Sequence, residues 1–211
     1  MAKRSEERPD HNGSAAGIVV PLRSFVHAKA RLAHVLNDDA RAALVRDMAD
    51  RVARAARPHP TVVVSNAAEV IAWAATHDIA VIADPGTLDG AAAAGRAWVR
   101  AQGLDRVVVV HADLPFATSL APLTDPAGAA AAVVVPDRRN DGTPALSVPA
   151  AAEFAFAYGP GSAARHIAAA RACGLDVRVV RDEQLGFDVD TAADLEELVA
   201  RRAASSNAPV R

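Results

Sequence analysis

Short runs of β-branched and small apolar residues recur along the chain, and most are followed by a segment whose apolar positions repeat at helical spacing. Segments 18–22, 61–65, 79–83, 106–111, 132–135, 145–148 and 177–180 read as strands. The run Thr61-Val62-Val63-Val64 and the run Arg106-Val107-Val108-Val109-Val110 are continuous rather than alternating. Continuity of that kind marks strands covered on both faces, as in a parallel sheet. Helices are expected at 67–77, 87–102, 119–130, 162–173 and 191–202. A further one, capped by Asp38 or Asp39, should run to about residue 57 with Leu44, Val45, Met48 and Val52 on one face. Thr191-Ala192-Ala193-Asp194 resembles a capping box. Alternation of this sort predicts a single α/β domain with a mainly parallel central sheet, spanning 18–203. Ligands of such sheets bind beyond the carboxyl ends of the strands, so polar residues there are the candidates for chemistry. Segments 1–17 and 204–211 read as a disordered tail and a frayed end.

Composition narrows the partners. A net charge of −2 and a pI near 6.4 give no reason to expect nucleic acid or an anionic membrane. No apolar run is long enough to span a membrane, and the polar N-terminal segment lacks the apolar stretch of a secretory signal. One cysteine, Cys173, excludes an intrachain disulfide and suits a reducing compartment. A cytoplasmic protein is expected.

Charge usage is uneven. Of 23 Lys and Arg residues only Lys3 and Lys29 are lysines, and Lys3 lies in the polar tail. Lys29 therefore stands alone in the folded body, inside the basic loop that also carries Arg23 and Arg31. A lysine is a flexible point charge and an arginine a planar fork, so the two serve a polyphosphate differently. If the loop is extended, Lys29 and Arg31 point the same way and could share one polyphosphate; a solvated helix face is the other reading.

Carboxylates gather at expected strand ends. Asp113 follows the apolar run 106–110, either as a turn former or as a ligand for a hard cation. In Phe187-Asp188-Val189-Asp190 alternate residues point one way, so Asp188 and Asp190 would present two carboxylates to one side. Asp190 has a second reading as the cap of the last helix. Three such carboxylates suit Mg²⁺, which takes one or two of them together with waters and substrate phosphates. Asp141-Gly142-Thr143 and Tyr158-Gly159-Pro160-Gly161-Ser162 form two polar turns, and Ser162 opens a helix whose N–H groups would favour an anion. His166, one turn later, reads as structural. Together these features describe metal-assisted attack on a nucleoside triphosphate with no protein nucleophile.

The segments PLRSFVHAKARL, HADLP, PDRRNDGT, FAYGPGSAARH and FDVDTAADL occur in an order and spacing that resembles the CofC/FbiD family, over about residues 18–200. The resemblance implies a GT-A-like, Rossmann-like nucleotidyltransferase fold and guanylyl transfer in coenzyme F-420 biosynthesis. It implies GTP and a three-carbon phospho-acid as substrates: phosphoenolpyruvate, 2-phospho-L-lactate or 3-phospho-D-glycerate. By the same resemblance Asp113, Asp188 and Asp190 hold Mg²⁺, Thr143, Gly159 and Ser162 bind the acceptor, and Arg23, Lys29 and Arg31 face the GTP phosphates. A hand-off of the product to the downstream deazaflavin-transferring enzyme stays open. Three positions depart from the family pattern: Arg23 where lysine is common, Asp89 where asparagine is usual, and Pro144 where asparagine follows Gly-Thr. Asp89 and Pro144 keep open a related transferase with another nucleotide or a larger acceptor, such as a molybdopterin or sugar phosphate. A nucleotide-binding protein without catalysis is the reading from another class.

Overall fold

The computed structural model describes residues 15–125 and 131–206. Its strands are β1 (Ala16–Pro21), β2 (Thr61–Val64), β3 (Ala80–Ile82), β4 (Arg106–Val110), β5 (Ala131–Val135), β6 (Ala145–Pro149) and β7 (Asp176–Val179). The helices are α1 (Asp38–Ala55), α2 (Ala68–Thr76), α3 (Leu88–Ala101), α4 (Ala121–Thr124), α5 (Ser162–Ala172) and α6 (Ala192–Ser206). The strands form one sheet in the order β3-β2-β1-β4-β6-β5-β7. All neighbours pair in parallel except β6, which runs antiparallel to both β4 and β5. The reversal follows from chain length, because the 136–144 connection is too short for the crossover that a parallel partner requires.

Both faces of the sheet are covered, and the strand residues divide between them by the two-residue period of an extended chain. Ile18, Val20, Val63, Val108, Val110, Val133 and Val135 face one core, with Val45, Met48 and Val52 of α1, Trp73 of α2 and Leu198 of α6. Val19, Val62, Val64, Val107, Val109 and Val134 face the other, with Ala91, Ala92 and Val99 of α3 and Ala170 of α5. Each fully buried valine contributes roughly 1.5–3 kcal/mol relative to exposure. Double coverage is why the strands read as unbroken apolar runs.

Local signals fix the helix starts. Asn37, rather than Asp38 or Asp39, caps α1: its Oδ1 accepts the Ala40 N–H at 2.8 Å. The two aspartates sit in the first helical turn, where their charge favours the positive end of the helix dipole. The capping box at the start of α6 is reciprocal. Asp194 donates its N–H to Thr191 Oγ1 at 3.3 Å, and its own Oδ2 accepts the Thr191 N–H at 2.8 Å. That helix continues to Ser206, beyond the expected 202, and β1 begins at Ala16, so both ends of the domain reach into segments read as tails. Residues 1–14, 126–130 and 207–211 lie outside the described residues; within the described part of the expected 119–130 helix, α4 is helical.

Helix α3 lies unusually close to β1. A Cβ on Gly95 would come within 2.2 Å of Val19 Cγ1 and 2.9 Å of its Cβ, and one on Gly17 within 2.6 Å of Val99. Valine cannot swing aside because its χ1 is restricted. The Gly95→Ala variant is therefore expected to lose stability by about 1–3 kcal/mol in urea unfolding, although alanine is the better helix former by about 1 kcal/mol. A stabilised variant would show that α3 can lift from the sheet without cost.

Candidate active site

The carboxyl ends of β1 and β4 open onto a cavity of about 630 Å³, lined in part by Leu22, Arg23, Lys29, Leu88, His111 and Asp113. Arg23, just past β1, lies at its rim and is largely exposed. Its Nε meets Asp84 at 3.3 Å, and its guanidinium donates to the Gly86 carbonyl. The loop after β1 is not extended. Lys29 adopts a left-handed backbone, φ 55° and ψ 42°, and starts a 3-10 turn over Ala30–Leu32. That turn separates the two cations expected to act together. Arg31 is exposed and does not line the cavity, whereas Lys29 is turned inward with 9% of its side chain exposed.

The Lys29 ammonium lies between two carboxylates, 2.5 Å from Asp113 Oδ2 and 2.7 Å from Asp190 Oδ1. It thus places a cation of the protein's own between two of the three carboxylates expected to hold a metal. Burial would lower its pKa, but the two carboxylates outweigh burial and raise it. Burial likewise works to raise Asp113, and Lys29 more than offsets it, holding that carboxyl below the usual range. Asp188 lacks this partner. Burial first, then the charges of Asp113 and Asp190, push its pKa up to about 6. Phe187 and Val189 are in the core while Asp188 and Asp190 keep partial exposure, so the alternation read from the sequence holds.

Four buried polar atoms in this region have no partner among the described residues: Asp113 Oδ1, Asp188 Oδ1, His111 Nε2 and Tyr158 Oη. Buried polar groups are ordinarily satisfied, so a cluster of orphans marks groups held for something else. No three His, Cys, Asp or Glu side chains among the described residues converge tightly enough to ligate an ion by themselves. Two orphaned carboxylate oxygens nevertheless fit Mg²⁺, whose remaining ligands would be waters and phosphates.

The second half of the site is built from two turns bound to each other. Asp137 folds the first, accepting the N–H groups of Arg139, Asp141 and Gly142. Asp141 joins it to the second: its Oδ1 accepts the Gly161 N–H at 2.9 Å and its carbonyl the Ala163 N–H at 3.0 Å. The Ser162 N–H donates to the Gly159 carbonyl. These N–H groups at the start of α5 are thus already used, contrary to the expected anion-binding helix end. The Gly159 N–H takes no partner among the described residues, at a backbone φ of 105° that only glycine adopts freely. Thr143 and Ser162 are both buried, with their hydroxyls 2.9 Å apart.

The partners of several residues in this half were not legible in the sequence, and Arg165 was not singled out at all. Asp89, expected beside the nucleotide, instead accepts the Tyr158 N–H at 2.6 Å and ties α3 to the 157–162 turn. The Pro144 carbonyl accepts the His111 N–H at 2.9 Å, so this position needs only an acceptor and tolerates proline. Arg165 clasps the carbonyls of Ala157, Tyr158 and Pro160. His166 is fully buried between Thr143 and Ala157. Their signal in the sequence, an Arg and a His one turn into a helix, is too common to stand out.

The mostly parallel sheet with carboxylates beyond its carboxyl edge is the arrangement of a nucleotidyltransferase fold, and solved structures bear this out. A nucleotidyl transferase from Methanothermobacter thermautotrophicus superposes with TM-score 0.63 at 15% identity, covering 92% of this chain and 100% of that one. A 4-diphosphocytidyl-2C-methyl-D-erythritol synthase from Anaerococcus prevotii gives 0.60 at 13%, covering 90% and 99%. The family model described as "Guanylyl transferase CofC like" matches residues 16–206. A phosphoenolpyruvate guanylyltransferase of Sphaerobacter thermophilus is 37% identical over 85% of this chain and 90% of its own. A 2-phospho-L-lactate guanylyltransferase of Methanothermobacter thermautotrophicus is 30% identical over 86% and 82%. The chain belongs to the CofC-like guanylyl transferase family. No helix among the described residues is long and apolar enough to cross a membrane.

Two outcomes follow from this geometry. Lys29→Arg keeps the charge but replaces a compact ammonium by a fork too large for the gap, so turnover should fall about a hundredfold with the fold retained. Kinetics equal to wild type would show that charge alone matters. The second concerns acid stability. Burial pushes His166 down to about 4, from about 6.5 in an unfolded chain, against the raising effect of Asp89. Between these values the unfolded state binds more protons, so this contribution is present above about pH 6.5 and lost as pH falls toward 4. Asp188, raised to about 6, acts in the opposite sense over the same window. The His166 part is therefore read as the difference in thermal midpoint between wild type and His166→Gln from pH 7 to pH 4.5. A constant difference would contradict a neutral buried imidazole.

Proposed function

We propose that this protein transfers GMP from GTP to a three-carbon phospho-acid, phosphoenolpyruvate first among them, and releases pyrophosphate in coenzyme F-420 biosynthesis. The observation that carries the reading is the pair of orphaned oxygens, Asp113 Oδ1 and Asp188 Oδ1, beside the Lys29 clamp. The activities named for the relatives, on phosphoenolpyruvate and 2-phospho-L-lactate, supply the substrate class.

In this reading GTP enters the cavity past Leu22 and Leu88. Arg23 at the rim supplies positive charge for its phosphates, while Arg31, outside the cavity, takes no part in that contact. Asp113, Asp188 and Asp190 would hold Mg²⁺. When bound, the ion offsets charge on the attacking and leaving oxygens of an in-line displacement. The acceptor's phosphate rests on Gly159, Thr143 and Ser162. An anionic oxygen of that phosphate attacks the α-phosphorus of GTP, a new P–O bond forms, and the bond to the β-phosphate oxygen breaks. Pyrophosphate leaves with the bonding electrons. The nucleophile is already deprotonated, so no general base is required. Lys29 keeps Asp113 ionised and holds Asp113 and Asp190 in place throughout. The product serves as donor to a deazaflavin-transferring enzyme downstream.

With Asp89 bonded to the Tyr158 backbone and Pro144 serving as an acceptor, neither departure from the family pattern favours a different nucleotide or a larger acceptor. A non-catalytic nucleotide binder would have no use for orphaned carboxylates. A coupled pyrophosphate assay crossing GTP, CTP and ATP with phosphoenolpyruvate, 2-phospho-L-lactate and 3-phospho-D-glycerate tests the assignment. GTP with phosphoenolpyruvate is expected to give the highest kcat/KM. Asp113→Asn and Asp188→Asn should each lose roughly a thousandfold, the scale of several kcal/mol of transition-state stabilisation. Full activity in either variant would remove the metal assignment.

A further inference from the structure

Resting on the acceptor assignment above, we propose that His166 is a positioning residue that keeps one hydroxyl proton of the Thr143–Ser162 pair unspent for an anionic oxygen of the acceptor. The imidazole is fully buried, packed edge-on against the Tyr158 ring at 4.7 Å between centroids and near Phe154 at 5.8 Å. Both ring nitrogens are engaged. Nε2 receives the backbone N–H of Ala157 at 2.9 Å, and Nδ1 lies 3.1 Å from Thr143 Oγ1. Thr143 Oγ1 is in turn 2.9 Å from Ser162 Oγ.

Counting protons along this chain gives its polarity. A backbone N–H can only donate, so Nε2 must present its lone pair. The proton of the neutral ring then resides on Nδ1, which donates to Thr143. The contact between the two hydroxyls consumes one of their two protons, whichever residue gives it. One hydroxyl proton remains, and no acceptor for it is found among the described residues. The opposite tautomer would reverse this. Thr143 would donate to the ring, Ser162 would donate to Thr143, and nothing would be left for a ligand. The Ala157 N–H is what forbids that state, and the Arg165 clasp on the Ala157 carbonyl holds the same peptide segment in place. The unspent proton, together with the unspent Gly159 N–H, suits an oxyanion and not a cation or a neutral donor.

The tautomer and the kinetics test this separately. In wild-type protein, nitrogen NMR of the His166 side chain should show Nδ1 protonated and Nε2 bare at neutral pH; the reverse assignment overturns the proposal without reference to activity. In steady-state kinetics with GTP, Mg²⁺ and phosphoenolpyruvate, His166→Phe keeps an aromatic ring but loses both bonds. The hydroxyl pair still has one spare proton in this variant but no donor behind Thr143 to direct it, so KM for phosphoenolpyruvate should rise about tenfold while KM for GTP stays unchanged. His166→Gln can accept from Ala157 through its oxygen and donate to Thr143 through its nitrogen, so it should restore most of that loss. Equal shifts in both KM values, no shift in His166→Phe, or a His166→Gln variant as impaired as His166→Phe would overturn the proposal. If wild type turns over no acid at all, the proposed function fails, while the tautomer still decides the proton count.

Discussion

A single ammonium group joins three parts of the chain that are far apart in sequence. Lys29 in the loop after β1 meets Asp113 at the end of β4 and Asp190 before α6. Removing it would leave Asp113, Asp188 and Asp190 as close, partly buried like charges, an arrangement that cannot stay fully ionised. The left-handed backbone at Lys29, unfavourable for a residue with a Cβ, is the cost of turning the side chain inward. Two charge-assisted bonds offset it. A compact head on a flexible stem suits this geometry, which gives a physical reason for a chain rich in arginine to keep one lysine here.

The clamp depends on the fold around it. Asp194 accepts the N–H groups of Asp190 and Thr191 through one oxygen, and faces Arg138 and Arg139 through the other. One fully buried carboxylate therefore fixes the segment that carries Asp188 and Asp190 and ties it to the β5–β6 connection. That connection holds the 157–162 turn through Asp141, and Asp89 links the same turn to α3 at the cavity wall. The cavity, the carboxylates and the 136–144 and 157–162 turns are thus parts of one hydrogen-bonded frame. A side chain changed at any link should be felt at the others, since a misplacement of about 1 Å can cost a hundredfold in rate.

Much of this was legible in the sequence because it rests on short-range rules. Unbroken runs of valine showed the doubly covered strands, and the Thr191–Asp194 spacing showed the last helix start. The two-residue period of 187–190 placed Asp188 and Asp190 on one side. What stayed hidden depends on contacts between distant residues. The inward turn of Lys29 requires Asp113 and Asp190 to be in place, and nothing local predicts a left-handed lysine. Asp89 looked like a nucleotide contact because its partner, the Tyr158 N–H, is in another loop. The antiparallel β6 was readable in principle from the short 136–144 connection. His166 reads as structural, which its full burial bears out, but a histidine in a helix gives no sign of its partners until its neighbours are known.

In the proposed reaction the acceptor's own phosphate oxygen displaces pyrophosphate from GTP. Mass spectrometry of a reaction run with phosphoenolpyruvate carrying heavy oxygen in its phosphate measures this directly. The expected product is GMP joined to the acid through a diphosphate, with the heavy label retained in the new bridge and absent from the released pyrophosphate. Label in the pyrophosphate, or GDP and orthophosphate as the only products, would contradict it.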